Sequence, residues 1–256
     1  MTINLIDTHT HLDFAHFEVA RSDVIKQSHD LGVKKIVVVG AEAKNFSRIN
    51  TLIKQYDGLY GAYGIHPWYL DGQINDLANY LTSNKCVACG EIGLDYVNSN
   101  FAKNQQQQTF IKQLNLAQSL QLPIILHVIK AHADVITILK RYKFTNGGIV
   151  HAFNGSLEIA NEYLRLGFAF GIGGAFTYPQ AHKLRKVLSK LPKNSLVLET
   201  DSPFMSPEFA PKIPNLPANL PKIAQIIANL LDIPLNELAQ ITTNNCYRFL
   251  RFTNKI

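Results

Sequence analysis

Ile3-Asn4-Leu5-Ile6-Asp7-Thr8-His9-Thr10-His11 carries a short apolar run directly into two alternating histidines. Residues 3–6 read as a strand. Successive strand residues face opposite ways, so His9 and His11 share a face with Asp7 below them. Two imidazoles about 7 Å apart on one face suit two bonds to a single divalent ion. The same stretch bears on the fold. A doubly wound nucleotide-binding sheet places a glycine-rich turn after its first strand. Here His-x-His stands in that place, and the later Gly171-Ile172-Gly173-Gly174 run is not that fingerprint.

Outward from this strand the chain alternates short apolar runs with helical periodicity. Strands are expected at 35–39, 59–64, 87–91, 123–127, 148–151, 168–172 and 195–201. Between them apolar residues recur at helical spacing, as in Phe46, Ile49, Leu52 and Tyr56, or Val135, Ile138, Leu139 and Tyr142. Ile74, Leu77 and Leu81 mark the helix after strand three. Ile92-Gly93-Leu94-Asp95 reads as a loop after strand four. The proline-rich stretch 203–221 reads as the last strand-to-helix connection, and helices over 220–231 and 235–250 close the chain. Eight strand–helix units without a linker or composition break match a (β/α)8 TIM barrel forming a single domain over 1–256.

Composition fits a globular protein with ample core: 46% hydrophobic and 17% charged residues. No apolar run approaches the ~20 residues of a membrane helix. The first residues lack a basic leader, so a cytoplasmic location is expected, with no membrane and no obligate protein partner. Three cysteines do not make a disulfide framework, and Cys86-Val-Ala-Cys89 lies in an apolar run, as buried thiols would. A formal charge of +6 permits an anionic partner. Lys183, Arg185, Lys186, Lys190 and Lys193 form the densest basic stretch. Leu184, Val187, Leu188 and Leu191 carry an apolar period through it, which favours the solvated face of a helix over a phosphate-tracking surface.

The strand ends hold the chemistry. Strand one ends in His9 and His11, strand four in Glu91, strand five in His127, strand six in His151 and strand eight in Asp201. In a barrel these ends converge on one mouth. Four imidazoles and two carboxylates suffice for two metal ions sharing a bridging ligand.

His9-Thr-His11, Gly64-Ile-His66-Pro67, Gly90-Glu91-Ile92-Gly93-Leu94-Asp95, His127, His151-Ala-Phe-Asn-Gly155 and Leu198-Glu-Thr-Asp201-Ser-Pro203 together resemble the motif series of the TatD-type deoxyribonucleases. These belong to the amidohydrolase-like metal-dependent hydrolases. The resemblance runs from residue 6 to the Asn244-Asn245-Cys246-Tyr247 segment. It implies a (β/α)8 fold, a divalent-metal hydrolase and cleavage of phosphodiester bonds in DNA, often as a 3′-to-5′ exonuclease on single strands or strand ends. It further implies that His9, His11 and Asp201 hold one ion, that His127 and His151 hold a second, and that Glu91 bridges them. The ions would be magnesium, manganese or zinc. Asp201 is the candidate to orient a water and accept its proton, and His66 to touch the scissile phosphate. Asp95 is the candidate to fix a ligand's tautomer.

The chain also departs from the pattern. Where many family members carry an arginine two positions after the strand-five histidine, Ile129 stands here, with Lys130 next to it as the candidate phosphate contact. The last connection keeps only Asn215 and Pro217 of its usual element. Losing an arginine removes a bidentate phosphate clamp that lysine replaces only as a point charge. A hydrolase of small esters or phosphoesters using the same metal site is therefore the alternative. A non-catalytic nucleic-acid binder is disfavoured by the intact six-ligand set.

Overall fold

In the computed structural model the chain is described over residues 3–70 and 76–252. Eight strands form one parallel sheet in sequence order: β1 (Leu5–Thr10), β2 (Val33–Val39), β3 (Leu59–Tyr63), β4 (Cys86–Asp95), β5 (Ile124–Ile129), β6 (Gly148–Val150), β7 (Phe168–Ile172) and β8 (Leu196–Leu198). The helices that follow them are α1 (Arg21–Asp30), α2 (Phe46–Gln55), α3 (Leu77–Leu81), α4 (Lys103–Ser119), α5 (His132–Arg141), α6 (Leu157–Arg165) and α7 (His182–Leu188). After β8 come α8 (Leu220–Leu230) and α9 (Leu235–Phe249).

The sheet curls back on itself. Thr10 bridges Ser202, the Asp201 N–H donates to the His9 carbonyl at 2.9 Å, and the His11 N–H donates to the Ser202 carbonyl at 2.8 Å. The bonds that nearly close the barrel are thus the ones that fix the backbone of His9, His11 and Asp201. Below them Asp7 accepts from the Thr200 N–H (3.0 Å) and hydroxyl (2.6 Å), joining the first strand to the last.

Alternate strand residues build two apolar layers, as a parallel sheet covered on both faces requires. Ile6, Val37, Val39, Ile125, Ile149, Ala169 and Val197 fill the barrel, with Cys246 and Leu250 of the last helical segment packed beneath. Ile36, Val38, Ile124 and Phe170 point outward to the helix ring, meeting residues such as Phe46, Ile49, Phe110 and Leu139. Beside the inner layer, buried Lys35 donates to the Tyr60 hydroxyl at 3.0 Å and lies over the rings of Tyr60, Tyr247 and Phe252. Cys86, Cys89 and Cys246 are buried free thiols.

Three expected boundaries change. Residues 92–95 are not a loop: β4 continues through them, pairing Ile92 with Leu126, Gly93 with His127, Leu94 with Val128 and Asp95 with Ile129. The ladder advances three residues on β4 for two on β5 between Cys89 and Ile92, which is a bulge at Gly90–Glu91. Gly93, at φ 147°, lies so close to β5 that an added Cβ would sit 2.0 Å from the His127 carbonyl oxygen. Its presence imitates a loop in sequence, while its backbone permits the strand to go on. Conversely β8 stops at Leu198 rather than Asp201, because Asp201 takes a left-handed φ of 57°. β1 begins and ends later than residues 3–6. Ile74 lies outside the described residues.

The last connection is pinned by Asn215, which is wholly buried. Its amide donates to the Thr200 (2.7 Å) and Met205 (3.3 Å) carbonyls, and its oxygen accepts from the Leu216 N–H (2.9 Å) and the Asn219 amide (2.9 Å). Asn215→Ala leaves these groups unpaired next to Asp201. The expected cost is about 3 kcal/mol, lowering the melting temperature by roughly 6–12 °C in a thermal melt. A shift under about 2 °C would show that solvent replaces these bonds.

Candidate metal centre

The β4 bulge sets Glu91 at the middle of the mouth, 2% exposed. Its two oxygens face different imidazoles. Oε2 lies 3.1 Å from His9 Nε2 and 3.8 Å from His11 Nε2. Oε1 lies 2.7 Å from His127 Nδ1 and 3.7 Å from His66 Nε2. Asp201 reaches in from beyond β8. Its Oδ1 is 3.4 Å from His11 Nε2 and 3.7 Å from His9 Nε2, and its Oδ2 is 3.7 Å from His151 Nε2. Among the described residues three groups have ligand atoms close enough to share an ion: His9 with His11 and Glu91, His9 with His151 and Glu199, and His66 with Glu91 and His127. All six expected ligands meet at the mouth, with His66 beside Glu91 and His127, and His151 stacked 3.7 Å above His9.

The rings of His11, His127 and His151 each turn one nitrogen to the centre. His11 Nδ1 lies 3.0 Å from the Val39 carbonyl, which accepts its proton and frees Nε2. Asp95 Oδ2, 3.2 Å from His127 Nε2, does the same for that ring and frees Nδ1. Glu199 Oε1 stands 2.9 Å from His151 Nδ1 and accepts from the Ala152 N–H at 2.6 Å. His66 is the reverse case. Its Nδ1 accepts from the Trp68 N–H at 3.1 Å, so the proton sits on Nε2 and points toward Glu91.

Charge balance explains why such a cluster calls for cations. Burial pushes the Glu91 carboxyl up, but His9, His66 and His127 outweigh it and hold it well below the usual range. Asp201 is likewise pushed up by burial and pulled lower overall by His151, His11 and His9. The carboxylates in turn raise imidazoles against their own burial: His151 to about 10, through Glu199 and Asp201, with His11 and His127 also raised. Burial drives His66 down to about 3 and lowers His9. Among the described residues neither ring nitrogen of His9, a fully buried residue, makes a well-aligned hydrogen bond, although Glu91 Oε2 stands 3.1 Å from Nε2. Buried nitrogens are seldom left so. A cation between these imidazoles and carboxylates would satisfy them, and the donor set fits.

A titration follows from these directions. A raised imidazole carries a proton at neutral pH, and a ligand must release it. Metal binding near pH 7 is therefore expected to release at least one proton, with apparent affinity rising about tenfold per pH unit for each proton displaced. Calorimetry in buffers of different ionisation heat measures this, and binding without proton release would show that the mouth imidazoles are already neutral at that pH.

Several site residues were not singled out from sequence. The one tryptophan, Trp68, is 40% exposed at the mouth, and its indole N–H donates to Asp95 Oδ2 at 2.7 Å. Phe14 and Phe204 flank His11 with ring centroids at 5.0 and 5.7 Å. Gly171 makes room for Glu199, since a Cβ there would lie 2.0 Å from Glu199 Oε2. The glycine run was the visible signal, and its use is space for a carboxylate. Lys130 is exposed at the end of β5 and lines neither cavity at the mouth. Those cavities flank the cluster. One, about 210 Å³, is walled by Phe14, Trp68, Tyr69 and Phe204; the other, about 230 Å³, extends past His127, His151 and Asp201 toward Asn154 and Leu184.

Known proteins resemble this chain in sequence and in fold. The family model described as TatD related DNase matches residues 6–251. The Escherichia coli (strain K12) protein YjjV, named as a metal-dependent hydrolase, is 38% identical over 253 residues, covering 96% of this chain and 98% of its own. Its crystal structure superposes with a TM-score of 0.92 over 98% of this chain and 100% of that one. YabD of Bacillus subtilis (strain 168), also named a metal-dependent hydrolase, is 37% identical over 252 residues, 96% of this chain and 99% of that one. A Mus musculus relative whose name proposes a deoxyribonuclease, TATDN3, is 30% identical over 267 residues, 97% of this chain and 88% of that one.

Proposed function

Because the chain belongs to the TatD-related DNase family and is a metal-dependent hydrolase, we propose that it cleaves phosphodiester bonds at the 3′ end of single-stranded DNA, using two divalent ions held across Glu91. The observation that carries this reading is the division of Glu91, with Oε2 toward His9 and His11 and Oε1 toward His127. His9, His11 and Asp201 would hold one ion, His127 and His151 the other. Such a pair lowers the pKa of a water and offsets charge on the attacking and leaving oxygens.

The chain's own residues do the rest. Asp201 is ionised and faces both ligand groups, so it orients the attacking water and takes its proton. His66, neutral and with its proton on Nε2, donates a hydrogen bond to a non-bridging phosphate oxygen. Asp95 and Glu199 hold His127 and His151 in the ligating tautomer. Lys130, at the rim, offers a point charge to a flanking phosphate. Four imidazoles favour zinc or manganese, and magnesium serves once substrate phosphate adds oxygen ligands. Three buried free thiols fit the reducing cytoplasm.

One observation favours a second reading. The aromatic cavity of about 210 Å³ has the size and apolar walls for the leaving group of a small ester. The test is metal-reconstituted protein titrated with magnesium, manganese and zinc against end-labelled single-stranded DNA, a generic phosphodiester and an aryl ester. Stepwise loss of nucleotides from the 3′ end supports the nuclease. Metal-dependent turnover of the small substrates with intact DNA supports the esterase.

A further inference from the structure

We propose that the groove running from the metal centre over α7 holds the sugar–phosphate backbone of single-stranded nucleic acid, with Lys183, Lys186 and Lys190 on successive phosphates. This rests on the phosphodiesterase reading and names where the uncleaved part of the strand lies.

Two hollows adjoin on this side. The cavity that begins at His127, His151 and Asp201 ends at Asn154 and Leu184. The same two residues border a second hollow, between the β6–α6 connection and α7, whose wall presents Lys183 and Lys186 from α7 and Lys190 from the turn that follows it. On the opposite side of the centre the aromatic cavity offers Phe14, Trp68, Tyr69 and Phe204 but no ammonium group. That side suits a single base, and of the hollows described around the mouth it is the α7 side that leads to ammonium groups.

The lysines are placed for this. Lys183 and Lys186 stand three apart on α7 and share a face, Lys190 stands in the turn after the helix ends at Leu188, and all three line the same hollow. All three are exposed, and none forms an ion pair with a carboxylate among the described residues. Arg185 is occupied differently: its guanidinium donates to the Phe176 (3.0 Å) and Thr177 (2.7 Å) carbonyls and anchors the helix to the β7–α7 turn. Leu184 and Val187 pack on the core and keep the basic face outward. Glu158 is the one acid lining the hollow, which leaves three positive charges against one negative. Ammonium groups attract any phosphate without reading bases, so the groove predicts tolerance of sequence and sensitivity to salt.

The test compares Lys183→Gln/Lys186→Gln/Lys190→Gln with a control of equal charge loss on other faces, Lys54→Gln/Lys112→Gln/Lys143→Gln. Cleavage efficiency is measured on a DNA strand of about twelve nucleotides and on a dinucleotide too short to reach α7. Binding of the labelled strand is followed by anisotropy in a Glu91→Gln background between about 50 and 200 mM salt. The groove variant is expected to lose the preference for the longer strand by about tenfold and to reduce the log–log salt slope of binding by about 2, at ~0.7 per lost phosphate contact. The control keeps both. Equal effects in the two triple variants, or no effect in the groove variant, would overturn the proposal. If the wild type cuts neither DNA, the nuclease reading fails. The anisotropy arm still decides the groove: binding lost only in the groove variant supports it, and absent or unaltered binding refutes it.

Discussion

Glu91→Gln is expected to lower metal-dependent turnover by about a thousandfold, ~4 kcal/mol of transition-state stabilisation, and to reduce the ions bound per chain. The shape of the side chain is kept, so the loss isolates its charge and its second oxygen. In the wild type each oxygen serves a different imidazole group, at 3.1 Å from His9 and 2.7 Å from His127. A glutamine presents an NH2 to one of those groups, where a cation or an N–H donor needs an acceptor. Elemental analysis of the purified variant, beside steady-state kinetics on the substrate the wild type accepts, checks both halves. Because the surrounding imidazoles hold Glu91 ionised despite its burial, the variant should also melt several degrees below the metal-free wild type, and a folded circular-dichroism spectrum at the assay temperature separates a lost site from a lost fold. Full activity with unchanged metal content would remove the bridge from the mechanism.

Asp201→Asn carries the second large effect, and its two readouts divide the roles open to the residue. If Asp201 accepts the proton of the attacking water, kcat falls by about 10²–10⁴ while metal content holds. If it serves only as a ligand, metal content falls first, and saturating metal restores most of the rate. The pH profile adds a sign. His151, His11 and His9 hold the Asp201 carboxyl below its ordinary range despite burial, so it is ionised across neutral pH. Loss of activity as pH falls toward 6 therefore comes from imidazoles regaining the protons that metal displaced. Raising metal concentration should move that acid limb to lower pH in the wild type, and an acid limb indifferent to metal would assign it to another group.

Much of this protein is local, and local patterns are readable. The short apolar runs of β1 and β2 and the 3.6-residue period in α2 and α5 report what is buried, because apolar side chains must leave water whichever partner covers them. The (β/α)8 architecture follows from that order of elements, and the family match and the YjjV superposition agree with it. The ligand-type residues were legible as chemistry at strand ends.

What stayed hidden depends on register and on contacts between distant segments. Glu91 faces two groups because a bulge shifts β4 against β5, and a register shift leaves no mark on either strand alone. Gly93 suggested a loop because a glycine signals backbone freedom without saying whether a neighbouring strand uses it. Glu199 meets His151 and Ala152 across 47 residues or more, and only in the space that Gly171 leaves. Trp68 reaches Asp95 because β3 and β4 pair side by side, and α7 meets the mouth at the hollow bordered by Leu184. By itself the sequence determined the element order and the kinds of side chain at the mouth. Only the tertiary structure decided which oxygen faces which imidazole and which lysines border the groove, since hydrogen bonds and ion pairs depend on tenths of an ångström that only the closed barrel sets.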